Sequence, residues 1–266
     1  MMKKALTIAG SDCSGGAGVQ ADLKTFSAHL VYGMSVITSV VAENTSRVID
    51  FQNVSVDLIE KQLEAIFEDI IPDAIKIGMV ESPEIMRAIR ENLEKYQAKQ
   101  VVIDPVMYAK NGCPLMRESS IDTLIKVMIP LADCLTPNIP EAEKITGMKI
   151  LTLEDMENAA RSIHALGAKN VLVKGGHLES AAIDILFDGV EFTHYHSKRI
   201  QTKNTHGTGC TLSSAIAANL AKGEPIKVAV SNAKEYVTGA IENALPLGNG
   251  HGPTNHFYQF ERVVKL

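Results

Sequence analysis

Apolar positions along this chain alternate between two spacings. Between residues 56 and 70, Leu63, Ile66, Phe67 and Ile70 recur at helical intervals, with Glu60 and Glu64 on the opposite, polar face. Short β-branched runs mark strands at 5–8, 35–41, 74–77, 101–104, 134–136 and 171–174. Helices are predicted between them, at 18–29, 56–70, 83–95, 121–128, 141–146 and 153–166. Ser82-Pro83-Glu84 reads as an N-cap with proline in the first helical position. Strands that alternate with helices predict a mostly parallel sheet covered on both faces. After Lys174 the pattern changes. Runs at 183–187 and 190–196 flank Asp188-Gly189, a hairpin turn signal. Two helices follow, at 209–222 and 226–244, separated by Gly223-Glu224-Pro225. With no repeat and no long linker, residues 1–266 read as one domain.

Composition narrows the function classes. The chain has 266 residues, 45% hydrophobic and 21% charged, as expected of a globular protein able to bury a sizeable core. A formal net charge of −5 argues against a broad nucleic-acid or acidic-membrane surface. No apolar run of about 18 residues is present to span a membrane. Lys3-Lys4 precede an apolar stretch too short for a signal peptide, which Gly10-Ser11-Asp12 interrupts, so it is read as a first strand. Cys13, Cys113, Cys134 and Cys210 form no C-x-x-C pair, hence neither a disulfide framework nor a zinc site by spacing. A reducing cytoplasm suits them. His194, His196, His251 and His256 show no i, i+4 ligand pair beside a carboxylate.

Parallel sheets present ligands beyond the carboxyl ends of their strands. The loop after Ile8, Asp104, Asn138 and Lys174 all fall there. The sharpest chemical signal is the stretch Asn204-Thr205-His206-Gly207-Thr208-Gly209-Cys210-Thr211 running into an alanine-rich helix. Gly207 and Gly209 let the backbone bend and approach a ligand closely. The helix behind them offers open amides and a positive dipole end, a site for phosphate or for a phosphoryl transition state. A structural reading, a glycine-rich helix start with a buried cysteine, stays open. So does a hydrolase reading with Cys210 as nucleophile and His206 as base, although Thr208 and Leu212 do not match a nucleophile elbow. The loop from Gly10 to Gly18 matches neither a P-loop nor G-x-G-x-x-G. It reads either as a flexible turn or as a close backbone approach to a small ligand. Asn138 reads as a helix cap or a functional group, Asp104-Pro105 as a turn or a site, and Lys174 as a solvated or functional lysine.

Seven blocks together carry a family resemblance. They are A-L-T-I-A-G-S-D-C-S-G-G-A-G-V-Q-A-D-L-K-T-F (5–26), V-V-A-E-N-T (40–45), K-I-G-M-V (76–80), D-P-V-M-Y-A-K (104–110), T-P-N-I-P-E (136–141), K-G-G-H (174–177), and residues 202–214 around G-T-G-C. In order and over nearly the whole length, the chain resembles the vitamin-kinase branch of the ribokinase superfamily, which holds hydroxymethylpyrimidine, phosphomethylpyrimidine and pyridoxal kinases. The resemblance implies a three-layer α/β/α fold, ribokinase-like, with a mostly parallel central sheet and a small β-flap over the substrate site. It implies Cys210 as the base that takes the substrate hydroxyl proton, with Gly207, Thr208 and Gly209 as the anion hole. It implies Asp104, Asn138, Glu141 and Lys174 around the ATP phosphates, with Mg²⁺ held by Asp104 and Glu141 through water. Gly10, Ala17, Glu43, Met79 and Val106 then line the substrate pocket, Glu43 bonding the heteroaromatic ring. The implied activity is ATP-dependent phosphorylation of 4-amino-5-hydroxymethyl-2-methylpyrimidine and its monophosphate for thiamine synthesis, by a cytoplasmic homodimer. Pyridoxine or pyridoxal phosphorylation is the alternative. It is weakened by Ala109, where some dual-activity relatives carry a second cysteine in the lid, although Cys113 follows close behind. A non-catalytic ligand-binding protein on the same scaffold is a third reading. The helix N-terminus is expected to lower the Cys210 thiol from its ordinary value of about 8.5, and a bound triphosphate to raise it again.

Overall fold

A computed structural model describes residues 1–108, 112, 114–176 and 182–260, so the expectations on Ala109 and Cys113 lie outside the described residues. A nine-stranded sheet forms the middle layer. Its strands are β1 (Lys4–Asp12), β2 (Tyr32–Glu43), β3 (Val48–Asn53), β4 (Ala74–Ile77), β5 (Val101–Ile103), β6 (Cys134–Leu135), β7 (Val171–Val173), β8 (Ala182–Phe187) and β9 (Phe192–Ser197). They lie in the order β3-β2-β1-β4-β5-β6-β7-β8-β9. The six strands from β2 to β7 in this order pair in parallel, while β3 at one edge and the β8–β9 hairpin at the other are antiparallel.

Alternation along the strands explains the two covered faces. Leu6, Ile8, Ile75, Ile77, Val101 and Ile103 enter one apolar cluster, with α2 (Val56–Phe67), α3 (Pro83–Lys95), α4 (Glu118–Thr123), α5 (Ile139–Thr146) and α6 (Leu153–Ala165). Ala5, Ala74, Val102 and Leu172 enter the other, with α1 (Gly18–Ala28), α7 (Thr208–Ala221) and α8 (Ile226–Glu242). Helix α7 is the central one of this layer. Every residue from Thr211 to Ala221 is buried, and the helix packs on β1, β4 and β5 between α1 and α8. Its alanines permit that close approach, and enlarging one costs about 1–3 kcal/mol of overpacking.

Local chemistry sets most helix ends. Ser82 accepts from the Ile85 amide with Pro83 behind it, Ser55 caps α2, and Thr152 with Asp155 forms a reciprocal capping box on α6. The hairpin turn is also as predicted, with Asp188 Oδ1 accepting the amides of Val190 and Glu191. Three features differ from the sequence reading. Strand β1 continues through Gly10-Ser11-Asp12, because pairing with the unusually long β2 carries it past Ile8, beyond a register shift between Ala9 and Ser11. Strand β3 was not predicted; it pairs with the outer half of β2, and this two-stranded extension brings Glu43 to the sheet's carboxyl rim. The helix expected at 121–128 is α4 followed by a π-helical turn, Leu124–Met128.

Candidate active site

Loops after the parallel strands converge on the start of α7. Asp104 follows β5, and its Oδ1 accepts from Lys174 Nζ at 2.7 Å and from Thr136 Oγ1 at 3.2 Å. Asn138, after β6, forms an isolated parallel bridge with Lys174, after β7. A Cβ built on Gly209 would lie 3.1 Å from Asp104 Oδ2 and 3.6 Å from Lys174 Nζ. The first turn of α7 therefore rests against the carboxylate–ammonium pair.

Gly207 occupies the left-handed region, with φ of 76°, and a Cβ there would stand 1.8 Å from the Gly16 carbonyl oxygen. Only glycine fits both demands. The contact makes the two glycine loops neighbours. Among the described residues no side chain caps α7, and none in its first turn is acidic. Its leading amides and dipole are thus directed at the rim shared by Asp104 and Lys174.

The remaining residues singled out from sequence lie at or after the carboxyl ends of β1, β2, β4 and β5. A Cβ on Gly10 would touch Met79 Sδ at 3.5 Å and Val41 Cγ2 at 3.6 Å. The Ala17 amide donates to Asp12 Oδ2 at 2.7 Å, and the Val106 amide donates to the Asp104 carbonyl at 2.8 Å. Glu43 stands with Asp12 and His206, their ligand-type atoms all within 4.8 Å of one another. Burial, and then the charge of Asp12, push the Glu43 carboxyl up to about 7. Asp12 holds this corner together: its oxygens accept the amides of Ser14, Gly16 and Ala17 and one ring nitrogen of His206.

Asn138 and Glu141 form a capping box on α5, each side chain bonding the other's backbone amide at 2.9 and 2.8 Å. Asn138 therefore caps α5 through its side chain. Glu141 is buried, which pushes its carboxyl up to about 7; Lys174 opposes the shift and Asp104 adds to it.

Two expectations about Cys210 change. Burial pushes the thiol up to about 11, with the positive charge of Lys76 the largest opposing influence. A helix N-terminus contributes about 0.3–1 kcal/mol at an exposed position, which is smaller than the cost of burying a thiolate. His206, the base of the hydrolase reading, has Nε2 2.8 Å from Asp12 Oδ2. That bond gives the histidine a loop-fastening place in the structure. Sequence reasoning also missed Lys76 and Asp22, a fully buried pair at 2.8 Å. A lysine inside the apolar run Ala74-Ile75-Lys76-Ile77 was the available signal.

Comparison with known proteins agrees over nearly the whole chain. The model of the phosphomethylpyrimidine kinase family matches residues 12–255. The hydroxymethylpyrimidine/phosphomethylpyrimidine kinase of Bacillus subtilis is 46% identical over 256 residues, covering 96% of this chain and 94% of that protein. The thiamine biosynthesis bifunctional protein ThiED of Geobacter sulfurreducens is 50% identical over 259 residues, 97% of this chain; these span 53% of that protein, about half its length. Among solved structures, the ADP complex of Bacillus subtilis pyridoxal kinase superposes with a TM-score of 0.91 at 43% identity, covering 97% of this chain and 99% of that one. With matches of this extent and identity, the chain belongs to the phosphomethylpyrimidine kinase family.

Proposed function

We propose that this protein transfers the γ-phosphate of ATP to 4-amino-5-hydroxymethyl-2-methylpyrimidine and then to its monophosphate, supplying the pyrimidine half of thiamine. The observation that carries the substrate assignment is the place of Glu43, between the two glycine loops and beside Asp12 and His206. An aminopyrimidine edge offers an amino donor next to a ring-nitrogen acceptor. A carboxyl group that titrates near 7 matches both when it holds its proton. A mismatched ring leaves buried groups unpaired, so discrimination is strong.

In this reading Cys210 takes the proton of the attacking hydroxyl. The amides of the Gly207-Thr208-Gly209 turn receive the phosphoryl charge, and Lys174 neutralises phosphate oxygens. Phosphoryl transfer relies on such positioning and charge compensation more than on covalent help. Mg²⁺ suits the same rim. Asp104 and Glu141 are buried carboxylates close enough for one to raise the other's proton affinity, a repulsion that a divalent cation relieves, and both offer hard oxygen donors. They would hold the ion through water, and it would supply charge neutralisation between the phosphates. For the nucleoside we favour the cavity of about 610 Å³ between β9 and α8, lined by His194, His196, Lys234, Glu235 and Tyr258. Lys234 bonds Asp184, whose Oδ1 accepts the Gly175 amide beside Lys174, so this groove leads toward the phosphate rim. A single domain, a homodimer and a cytoplasmic location complete the reading; among the described residues no helix is long and apolar enough to cross a membrane.

Pyridoxal is the competing substrate, favoured by the close likeness to Bacillus subtilis pyridoxal kinase. Measuring kcat/KM of the purified protein for the pyrimidine alcohol, its monophosphate and pyridoxal decides between them. The expected order puts both pyrimidines ahead. A preference for pyridoxal overturns the assignment, and no ATP turnover with any of the three returns the protein to ligand binding alone.

A further inference from the structure

Lys76 is an expensive residue to bury. Its side chain is fully inaccessible, and its Nζ donates to Asp22 Oδ2 at 2.8 Å. Asp22 also accepts from Thr7 Oγ1 at 2.6 Å and from Ser214 Oγ at 2.7 Å. Burying such a pair is weak support for stability, because desolvation consumes most of the Coulomb attraction. A role beyond packing is the better explanation.

The geometry points at α7. Ile75 and Ile77 turn toward one face of the sheet, so Lys76 between them turns toward the other, where Ala74 contacts the α7 layer. In register, Lys76 stands beside Thr7 of β1 and Val102 of β5, the strands on which α7 packs. Its ammonium reaches the carboxyl end of β4, since a Cβ on Gly78 would lie 2.5 Å from Lys76 Nζ. Ser214, which binds the far side of Asp22, follows Cys210 by one helical turn on the same face of α7. The buried ammonium is therefore tied, through Asp22, to the turn of α7 that follows Cys210.

We propose that Lys76 is a positioning residue for phosphoryl transfer, its buried ammonium stabilising the Cys210 thiolate from below α7. The proposal rests on the reading of Cys210 as proton acceptor. Three charged groups act on the thiol through their fields: Lys76 from β4, Asp22 from α1, and Asp104 after β5. Lys76 is the largest of these influences and the one that favours the anion; the two carboxylates oppose it. Asp22 spreads its charge over two hydroxyl donors as well as the ammonium, which leaves the field of Lys76 incompletely cancelled.

The test reads the thiol itself. Purified full-length protein is alkylated with iodoacetamide over a range of pH, and modification of the Cys210 peptide is followed by mass spectrometry, which separates it from the other cysteines. Lys76→Met should move the midpoint of Cys210 alkylation to higher pH. Reaction below the midpoint then slows by about tenfold for each pH interval of one that the midpoint moves. Asp22→Asn breaks the same ion pair but should move the midpoint downward. Opposite directions cannot arise from loosened packing, which would move both variants the same way. Should K76M fail to fold, D22N decides by the direction in which its midpoint moves. A midpoint unmoved in K76M, or movement in the same direction in both variants, overturns the proposal. Cys210→Ala separates the two ideas: if it retains near-original turnover, the acceptor reading fails whatever Lys76 does to the thiol, and the catalytic part of this proposal fails with it.

Discussion

His206 Nε2 lies 2.8 Å from Asp12 Oδ2, across 194 positions of sequence, and this bond fastens the loop before α7 to the end of β1. The Gly207-Thr208-Gly209 turn and the glycine loop after β1 are thereby held against each other. Asp12 is buried; burial alone would raise its carboxyl, but the bonds from His206, Ser14 and Ala17 outweigh this and hold it well below the usual carboxylate range. A depressed carboxylate stabilises the fold above its unfolded value and loses that contribution as pH falls toward the folded one. Asp12→Asn should therefore cost about 1.5–3 kcal/mol at neutral pH, and the gap to the wild type should close in acid. Urea unfolding at several pH values measures it; a gap that does not change with pH contradicts the linkage.

Gly207 and Gly209 should tolerate substitution differently. Alanine at 207 meets both the left-handed backbone, a cost of about 1–3 kcal/mol, and a collision with the Gly16 carbonyl. Alanine at 209 keeps an ordinary helical backbone and crowds only Asp104 Oδ2. G207A should lower Tm far more than G209A, while G209A should lose kcat in a folded protein. Thermal melts paired with steady-state kinetics resolve the two effects.

Cys210→Ala should lower kcat by roughly a hundredfold to ten-thousandfold with little change in KM for the alcohol, the loss expected when a positioned proton acceptor is removed. Because the thiol is pushed up to about 11, kcat/KM of the wild type should climb as pH rises through the alkaline range. Cys210→Asp, whose carboxylate ionises far lower, should recover activity and lose that climb. A pH–rate profile of the three proteins suffices, and an unchanged slope in the aspartate variant would remove Cys210 from the role.

Glu141 has a folded pKa of about 7 against an ordinary 4.5. A raised value means that its contribution to stability is present below 4.5 and is lost as pH rises through 7. Compared with Glu141→Gln, the ligand-free wild type should lose Tm over that interval. The same variant should need about tenfold more Mg²⁺ for half-maximal activity at fixed ATP, the usual scale for losing a group that orients a metal's water shell. An unchanged Mg²⁺ requirement would take Glu141 out of the metal site.

Period and turn chemistry made most of the architecture legible in the chain. The Leu63, Ile66 and Phe67 spacing, the Ser82-Pro83 cap and Asp188-Gly189 each settle a helix or turn through interactions within a few residues, although α2 ends at Phe67, short of the expected Ile70. Strand β3 escaped because an edge strand is defined by its partner: Val48–Asn53 acquires its ladder only when the outer half of β2 lies beside it. The Gly10-Ser11-Asp12 segment misled for the same reason, since its extended state comes from pairing across to β2.

The order of elements, the parallel sheet and the glycine turn that opens α7 are thus written in the chain, all consequences of local propensity and spacing. How charges meet was fixed only once the chain had folded. The Asp104–Lys174 pair, the His206–Asp12 bond and the Lys76–Asp22 pair join residues at least 54 positions apart, and burial reversed the expected direction of the Cys210 thiol. Electrostatic free energies depend on distance and on the dielectric between groups, and neither exists until the chain has folded.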